Sequence, residues 1–190
     1  MPLLSLIPLG KSCLGWNLSV VLCGVGLSVP TTNGQRPTIE LSPNDELWME
    51  EALRCAQRAL EAGEVPVGAV VVSGGQIVGR GWNRNIADRD PSAHAEILAL
   101  REAGTAVGNH RLGDCELFVT IEPCAMCAGA LVQARIKRLV YGADDPKAGA
   151  VHSVIEVLNH PALNHHMKVR SGVLAGRCAE MVQAFFRNRR

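Results

Sequence analysis

The chain has 190 residues, about one domain's worth, which excludes two large domains. Hydrophobic residues make up 47% and charged residues 19%, with Lys+Arg 19 against Asp+Glu 18, which excludes a disordered chain and leaves enough apolar side chains for a real core. The balanced total hides an asymmetry: residues 151–190 hold 6 basic and 2 acidic residues and four of the six histidines, so a polyanion would prefer that end.

The first forty residues do not look like the rest. No charge occurs between Lys11 and Arg36, and residues 14–29 are rich in Leu, Val and Gly, like the apolar region of a signal peptide. No small-x-small cleavage site follows, Pro30 and Pro37 bracket a polar stretch, and the run is short of the ~20 residues that span a bilayer. Residues 1–41 are therefore expected to be a flexible leader or the product of a start assigned too far upstream, with one domain over 42–190 and no membrane association. The cysteines number seven, an odd count scattered except for one Cys-x-x-Cys pair, which argues against a secreted disulfide framework and for a reducing, cytoplasmic setting.

From Ser42 the pattern becomes regular. Ser42, Pro43 and Asp45 supply a capping hydroxyl, a first-turn proline and an early acid, and Leu47, Trp48, Cys55, Ala56, Ala59 and Leu60 recur at helical spacing, which predicts a helix ending at Gly63. Residues 65–72 form an apolar β-branched run, Gly74-Gly75 is a hairpin turn, and residues 76–82 alternate into a second strand. Residues 83–91 are polar and turn-rich, and a helix follows from Ser92 to about Gly104. Further strands are expected over 116–120, 138–141 and 167–171, a helix over 124–134, and a closing helix over 172–189 with Val173, Leu174, Met181, Phe185 and Phe186 facing inward. Helices interleaved with strands after a hairpin imply an α/β fold with a mixed sheet covered on both faces.

Two short motifs carry chemistry. Pro123-Cys124-Ala125-Met126-Cys127 opens a predicted helix, and cysteines at i and i+3 share one face, where the positive end of the helix dipole favours thiolates. Alone, the pair is ambiguous: a redox dithiol and two buried cysteines together weigh about as much as a zinc site. His94-Ala95-Glu96 supplies a third ligand: two thiolates and a neutral imidazole balance a zinc dication and leave the fourth tetrahedral position open, as in catalytic sites. By itself His94 reads as a capping or core residue, and Glu96 as a first-turn acid favoured by the dipole. For both His94 and Glu96 to approach one ion, His94 must sit at the helix entrance with a non-helical backbone, because residues two apart in a helix diverge. Thiolate-neutralised zinc is a weak Lewis acid, so its water needs a base, and Glu96 can shuttle that proton to a ring nitrogen and assist departure of ammonia.

His94-Ala95-Glu96 with Pro123-Cys124-Ala125-Met126-Cys127 matches the zinc nucleobase deaminase signature. Together with Glu64-Val65-Pro66-Val67-Gly68-Ala69-Val70, Gly81-Trp82-Asn83-Arg84 and Asp90-Pro91-Ser92-Ala93, these motifs make the chain resemble the bacterial tRNA-specific adenosine deaminases from about residue 42 onward; the leader has no counterpart in that pattern. The resemblance implies a three-layer α/β/α cytidine-deaminase-like fold, one Zn²⁺ per subunit, a homodimer, and conversion of adenosine to inosine at the wobble position of a tRNA anticodon stem-loop. It further implies that Asn83 contacts the base, that Val67 walls the purine pocket, and that Asp145, with Lys147 beside it, reads the preceding nucleotide. Phe186, Arg187, Arg189 and Arg190 are implied to grip the anticodon loop by stacking and charge. Without it, Asn83 reads equally as a turn residue, Asp145 and Lys147 as solvated loop charges, and the phenylalanines as helix core. Two other readings stand beside it: a deaminase of free guanine or cytosine derivatives, which the zinc core alone permits, and an RNA-binding protein whose metal is structural.

Overall fold

In the computed structural model, whose described residues are 44–189, the first element is helix α1, Asp45–Glu61. The expectations for residues 1–41, for the capping role of Ser42 and Pro43 and for Arg190 fall outside the described residues. Asp45 and Glu46 in the first turn and Arg58 in the last complement the helix dipole, and Gly63, at φ +77°, reverses the chain after it. Met49, Ala52, Leu53, Ala56 and Ala59 form the buried stripe, while Leu47, expected inside, is 52% exposed because Met49 takes the inward position two residues on.

Strand β1, Gly68–Ser73, begins three residues later than the apolar run predicts. Pro66 has no N–H for a ladder, and the Val67 N–H turns back to the Val65 carbonyl at 2.8 Å. Gly74 and Gly75, both at positive φ, make the tight turn into β2, Gln76–Trp82. A bulge follows, since Val72 pairs with Ile77 but Val71 with Gly79. A one-turn helix α2, Asn85–Asp88, occupies the segment expected to be loop.

Helix α3, Ala95–Val107, runs past Gly104 and stops at Gly108, whose φ of +71° provides the left-handed turn that Gly104 does not. It lies almost on the backbone of β2: a Cβ on Gly81 would come 2.0 Å from the Ala95 carbonyl oxygen, and one on Gly79 2.3 Å from that of Ala99. Strand β3, Cys115–Ile121, helix α4, Ala125–Ala134, and strand β4, Arg138–Ala143, follow as a parallel crossover unit. Strand β5, Lys168–Arg170, and helix α5, Ala175–Arg187, close the domain.

The sheet order is β2-β1-β3-β4-β5, antiparallel on the β1 side of β3 and parallel on the β4 side. One apolar layer joins α3 and α4 to Val71, Leu117, Leu139 and Tyr141; the other joins α1 and α5 to Val70, Phe118 and Val140. This is the mixed sheet covered on both faces that the sequence implies. The buried Asp45 carboxylate meets Arg138 at 2.6 and 2.8 Å and Arg170 at 3.2 Å, tying the start of α1 to β4 and β5 at the sheet end opposite the site. Among the described residues no helix is long and apolar enough to cross a membrane.

Candidate active site

Helices α3 and α4 both begin at the sheet end where β3 and β4 finish, the crevice where open α/β sheets bind ligands. His94 is the N-cap of α3 with an extended backbone (φ −78°, ψ 153°), and Cys124 is the N-cap of α4 (φ −73°, ψ 173°), so Pro123 lies just outside the helix it was expected to open. Both caps turn their side chains toward one point. His94 Nδ1 lies 3.7 Å from Cys124 Sγ and 3.5 Å from Cys127 Sγ, and the three donor atoms fall within 4.8 Å of one another. A tetrahedral ion bonded at ~2.3 Å to sulfur and ~2.0 Å to nitrogen requires about 3.5 Å between those ligand atoms, so the trio fits zinc.

Electrostatics follow from the same geometry. Hydrogen bonds from Cys127 and His94 pull the Cys124 thiol down to about 3, making it a thiolate, while the bond to Cys124 and burial push Cys127 far above its usual range. The Cys124 hydrogen bond raises His94 against the opposing effect of burial. Glu96, in the first turn of α3, is buried, and that burial lifts its carboxyl above the ordinary range, partly offset by its own backbone N–H and by His94.

These groups open into a cavity of about 760 Å³, and every described residue assigned to substrate binding lines it: Val67, Asn83, Asp145, Lys147, Phe186, Arg187 and Arg189. Buried Cys127 lies behind Cys124 and is not part of the wall. The side-chain oxygen of Asn83 accepts the Ala95 N–H at 3.0 Å, so this residue holds the start of α3 and keeps its amide NH₂ for another partner. One oxygen of Asp145 accepts the N–H groups of Lys147 and Ala148 at 2.9 and 3.3 Å, shaping the turn that presents both side chains. Phe186 is 49% exposed; the inward position expected for it is filled by Phe185, and it faces the cavity. The Arg189 guanidinium sits 4.1 Å from the Phe185 ring centroid and donates to the Gly63 carbonyl at 2.6 Å, which anchors the last turn of the chain to the α1–β1 corner.

Two buried carboxylates, Glu64 and Glu122, were given no role by the sequence. Glu64 accepts the N–H groups of Ile86 and Ala87 at 2.9 and 2.8 Å and so fixes α2 beside Asn83. Glu122 is wholly buried between β3 and Pro123; burial would raise its carboxyl, but hydrogen bonds led by those of Ser153 and His152 hold it down to about 2. The signal that could have found them is an acid set alone among apolar neighbours, since a buried carboxylate persists only where donors surround it. Glu122, Asp144 and His152 also bring ligand atoms within 4.8 Å of one another. Both oxygens of Glu122 are already occupied by N–H and O–H donors and His152 Nδ1 meets the Tyr141 hydroxyl at 2.6 Å, so this group does not compete for a metal.

Comparison with known proteins gives the family and the fold. The family model of MafB19-like deaminases matches residues 43–190. The chain is 48% identical over 147 residues to the tRNA-specific adenosine deaminase of Haemophilus influenzae, covering 77% of this chain and 85% of that protein. A structure from a study of A-to-I editing by tRNA:A34 deaminases at the wobble position superposes with a TM-score of 0.69 at 46% identity, covering 71% of this chain and 98% of that one. A guanine deaminase from Nitrosomonas europaea superposes with a TM-score of 0.64 at 25% identity, over 79% and 87% of the two chains.

Proposed function

We infer, from the premise that this chain belongs to the MafB19-like deaminases and, within them, to the tRNA-specific adenosine deaminases, that it hydrolyses adenosine to inosine at the wobble position of a tRNA anticodon. The observation that carries this reading is the continuity of one cavity from His94, Cys124 and buried Glu96 to the exposed Lys147, Phe186, Arg187 and Arg189. A free base needs only the inner part of such a cavity. A cationic and aromatic rim suits a base presented on a single-stranded loop.

His94, Cys124 and Cys127 would hold one zinc ion per chain, which when bound supplies the Lewis acidity that activates water for addition to C6 of adenine. Glu96 does the proton work. Its carboxylate, made more basic by burial, takes a proton from the attacking water and delivers it to N1; a second transfer to the amino group lets ammonia leave. The C6–O bond forms, the C6–N bond breaks, and adenosine plus water becomes inosine plus ammonia. Asn83 would orient the extruded base through its amide NH₂ while Val67 packs beside the purine. Asp145 and Lys147 would meet the preceding nucleotide. Phe186 would stack on a loop base, and Arg187, Arg189 and Arg190 would neutralise phosphates.

The test incubates the purified protein with an anticodon stem-loop and, separately, with free guanine, cytosine and adenine, and follows the products by mass spectrometry. Inosine in the stem-loop is the expected result; turnover of free bases alone would overturn the reading in favour of a nucleobase deaminase. The family relationship further supports a homodimer, which sedimentation equilibrium reads directly. None of the five cysteines among the described residues is disulfide-bonded, which supports a reducing, cytoplasmic setting.

A further inference from the structure

The wall of the cavity that carries Asp145 and Lys147 belongs to the segment after β4, residues 144–153, which contains no regular helix or strand of its own. A segment of that kind keeps one shape only if its backbone donors find fixed acceptors. Asp145 and the Pro123 carbonyl take the donors of residues 147–150, and one side chain takes the donors at the two ends of the segment. Glu122 Oε1 accepts the N–H groups of Val151, His152 and Ser153 at 3.0, 2.8 and 3.0 Å, and Oε2 accepts the Asp145 N–H at 3.1 Å and the Ser153 hydroxyl. The carboxylate thus grips both ends of the segment at once. No room is left for it to shift: a Cβ on Gly149 would come 2.3 Å from Oε2.

The same residue stands at the base of the ligand segment. Glu122 is followed directly by Pro123 and Cys124; the Ala150 N–H donates to the Pro123 carbonyl at 2.8 Å, and Cys124 bridges Gly149. None of its bonds reaches His94, Glu96 or either sulfur. We propose that Glu122 is a positioning residue for substrate recognition, which through residues 145–153 sets Asp145 and Lys147 against the nucleic acid without taking part in the chemical step. The proposal rests on the tRNA deaminase reading and deepens it.

Oε1 of Glu122 faces three N–H groups and Oε2 faces the Asp145 N–H beside a hydroxyl, so glutamine in its place must turn an NH₂ group against at least one N–H whichever way the amide is set. In Glu122→Gln holoenzyme assayed on an anticodon stem-loop, KM is expected to rise by about tenfold or more while kcat falls by less than about threefold. Zinc content is expected to match the wild type. Ser153→Ala, which removes one donor, should raise KM in the same direction but less. Gly149→Ala, which drives a methyl group against Oε2 and against the Asp145 carbonyl, should raise KM in the same direction as Glu122→Gln, and Ser153→Ala, which touches only Glu122, decides the matter if the glutamine variant does not fold. An unchanged KM in Ser153→Ala or in a folded Glu122→Gln variant would overturn the proposal, as would loss of zinc and kcat with KM intact, which is the mark of a purely structural residue. Wild-type enzyme run in parallel keeps the two readings apart: failure of the wild type to make inosine refutes the substrate, whereas an active wild type with an indifferent variant refutes only the role of Glu122.

Discussion

Glu96 combines two properties that pull against each other: it must be buried to be basic, and it must be reached by water and by a base to be used. Its place in the first turn of α3 resolves this, because the carboxylate is enclosed by protein yet borders the cavity. Glu96→Gln keeps the volume and removes the proton acceptor, so kcat is expected to fall by about 10²–10⁴-fold with zinc content and melting temperature unchanged. His94→Ala and Cys124→Ser should instead release metal together with activity, measured by atomic absorption after dialysis; full occupancy with normal turnover in either would refute the ligand set. These residues were legible because their chemistry is written in local spacing: two cysteines three apart and a His-x-Glu motif each constrain one helix start. The enclosure of Glu64 and Glu122 was not, because nothing in a sequence says which carboxylate will be buried until the chain is folded round it. Asn83 was recognised for the base it would touch, but not for its bond to the Ala95 N–H, which is a tertiary fact.

At the scale of elements, the hairpin and the helix patterns were readable from turn glycines and period, whereas boundaries shifted wherever backbone bonding overrode composition. The run 65–72 gave up three residues to the turn around Pro66, and α3 ignored Gly104 because Gly108 supplied the stop. The glycines of β2 were read as part of an alternating strand, yet their purpose is to let α3 lie on the sheet. Gly81→Ala forces a methyl into the Ala95 carbonyl, which costs about 1–3 kcal/mol or more and should lower the urea midpoint with little change in slope. Helix α5 shows the other kind of error: a period that made both phenylalanines core could not tell that Phe185 would take the one buried place and leave Phe186 at the cavity. Removing residues 187–190 is expected to weaken stem-loop binding and to flatten its dependence on salt, by about 0.7 in log–log slope for each phosphate that is no longer neutralised; the same affinity at every salt concentration would locate the grip elsewhere.

Across the molecule, stability and chemistry are kept at opposite ends of the sheet. The Asp45, Arg138, Arg170 cluster knits α1, β4 and β5 far from the cavity, and Glu116 adds a 2.9 Å bond to Arg138. Asp45→Asn removes the central charge and leaves two largely buried guanidinium groups against an amide, a loss of about 3 kcal/mol in unfolding free energy, with kcat and KM for the stem-loop unaltered below the new transition. Strand order could not be read from the chain, since it depends on which edge β3 joins, and that is settled by pairing residues far apart in sequence. The α/β class, in contrast, follows from alternation alone. The tether of Arg189 to Gly63 has a practical corollary for anyone producing this protein. Any purification handle or fusion partner joined directly beyond Arg189 would start at the edge of the cavity, and so would act as an unintended competitor for whatever enters there.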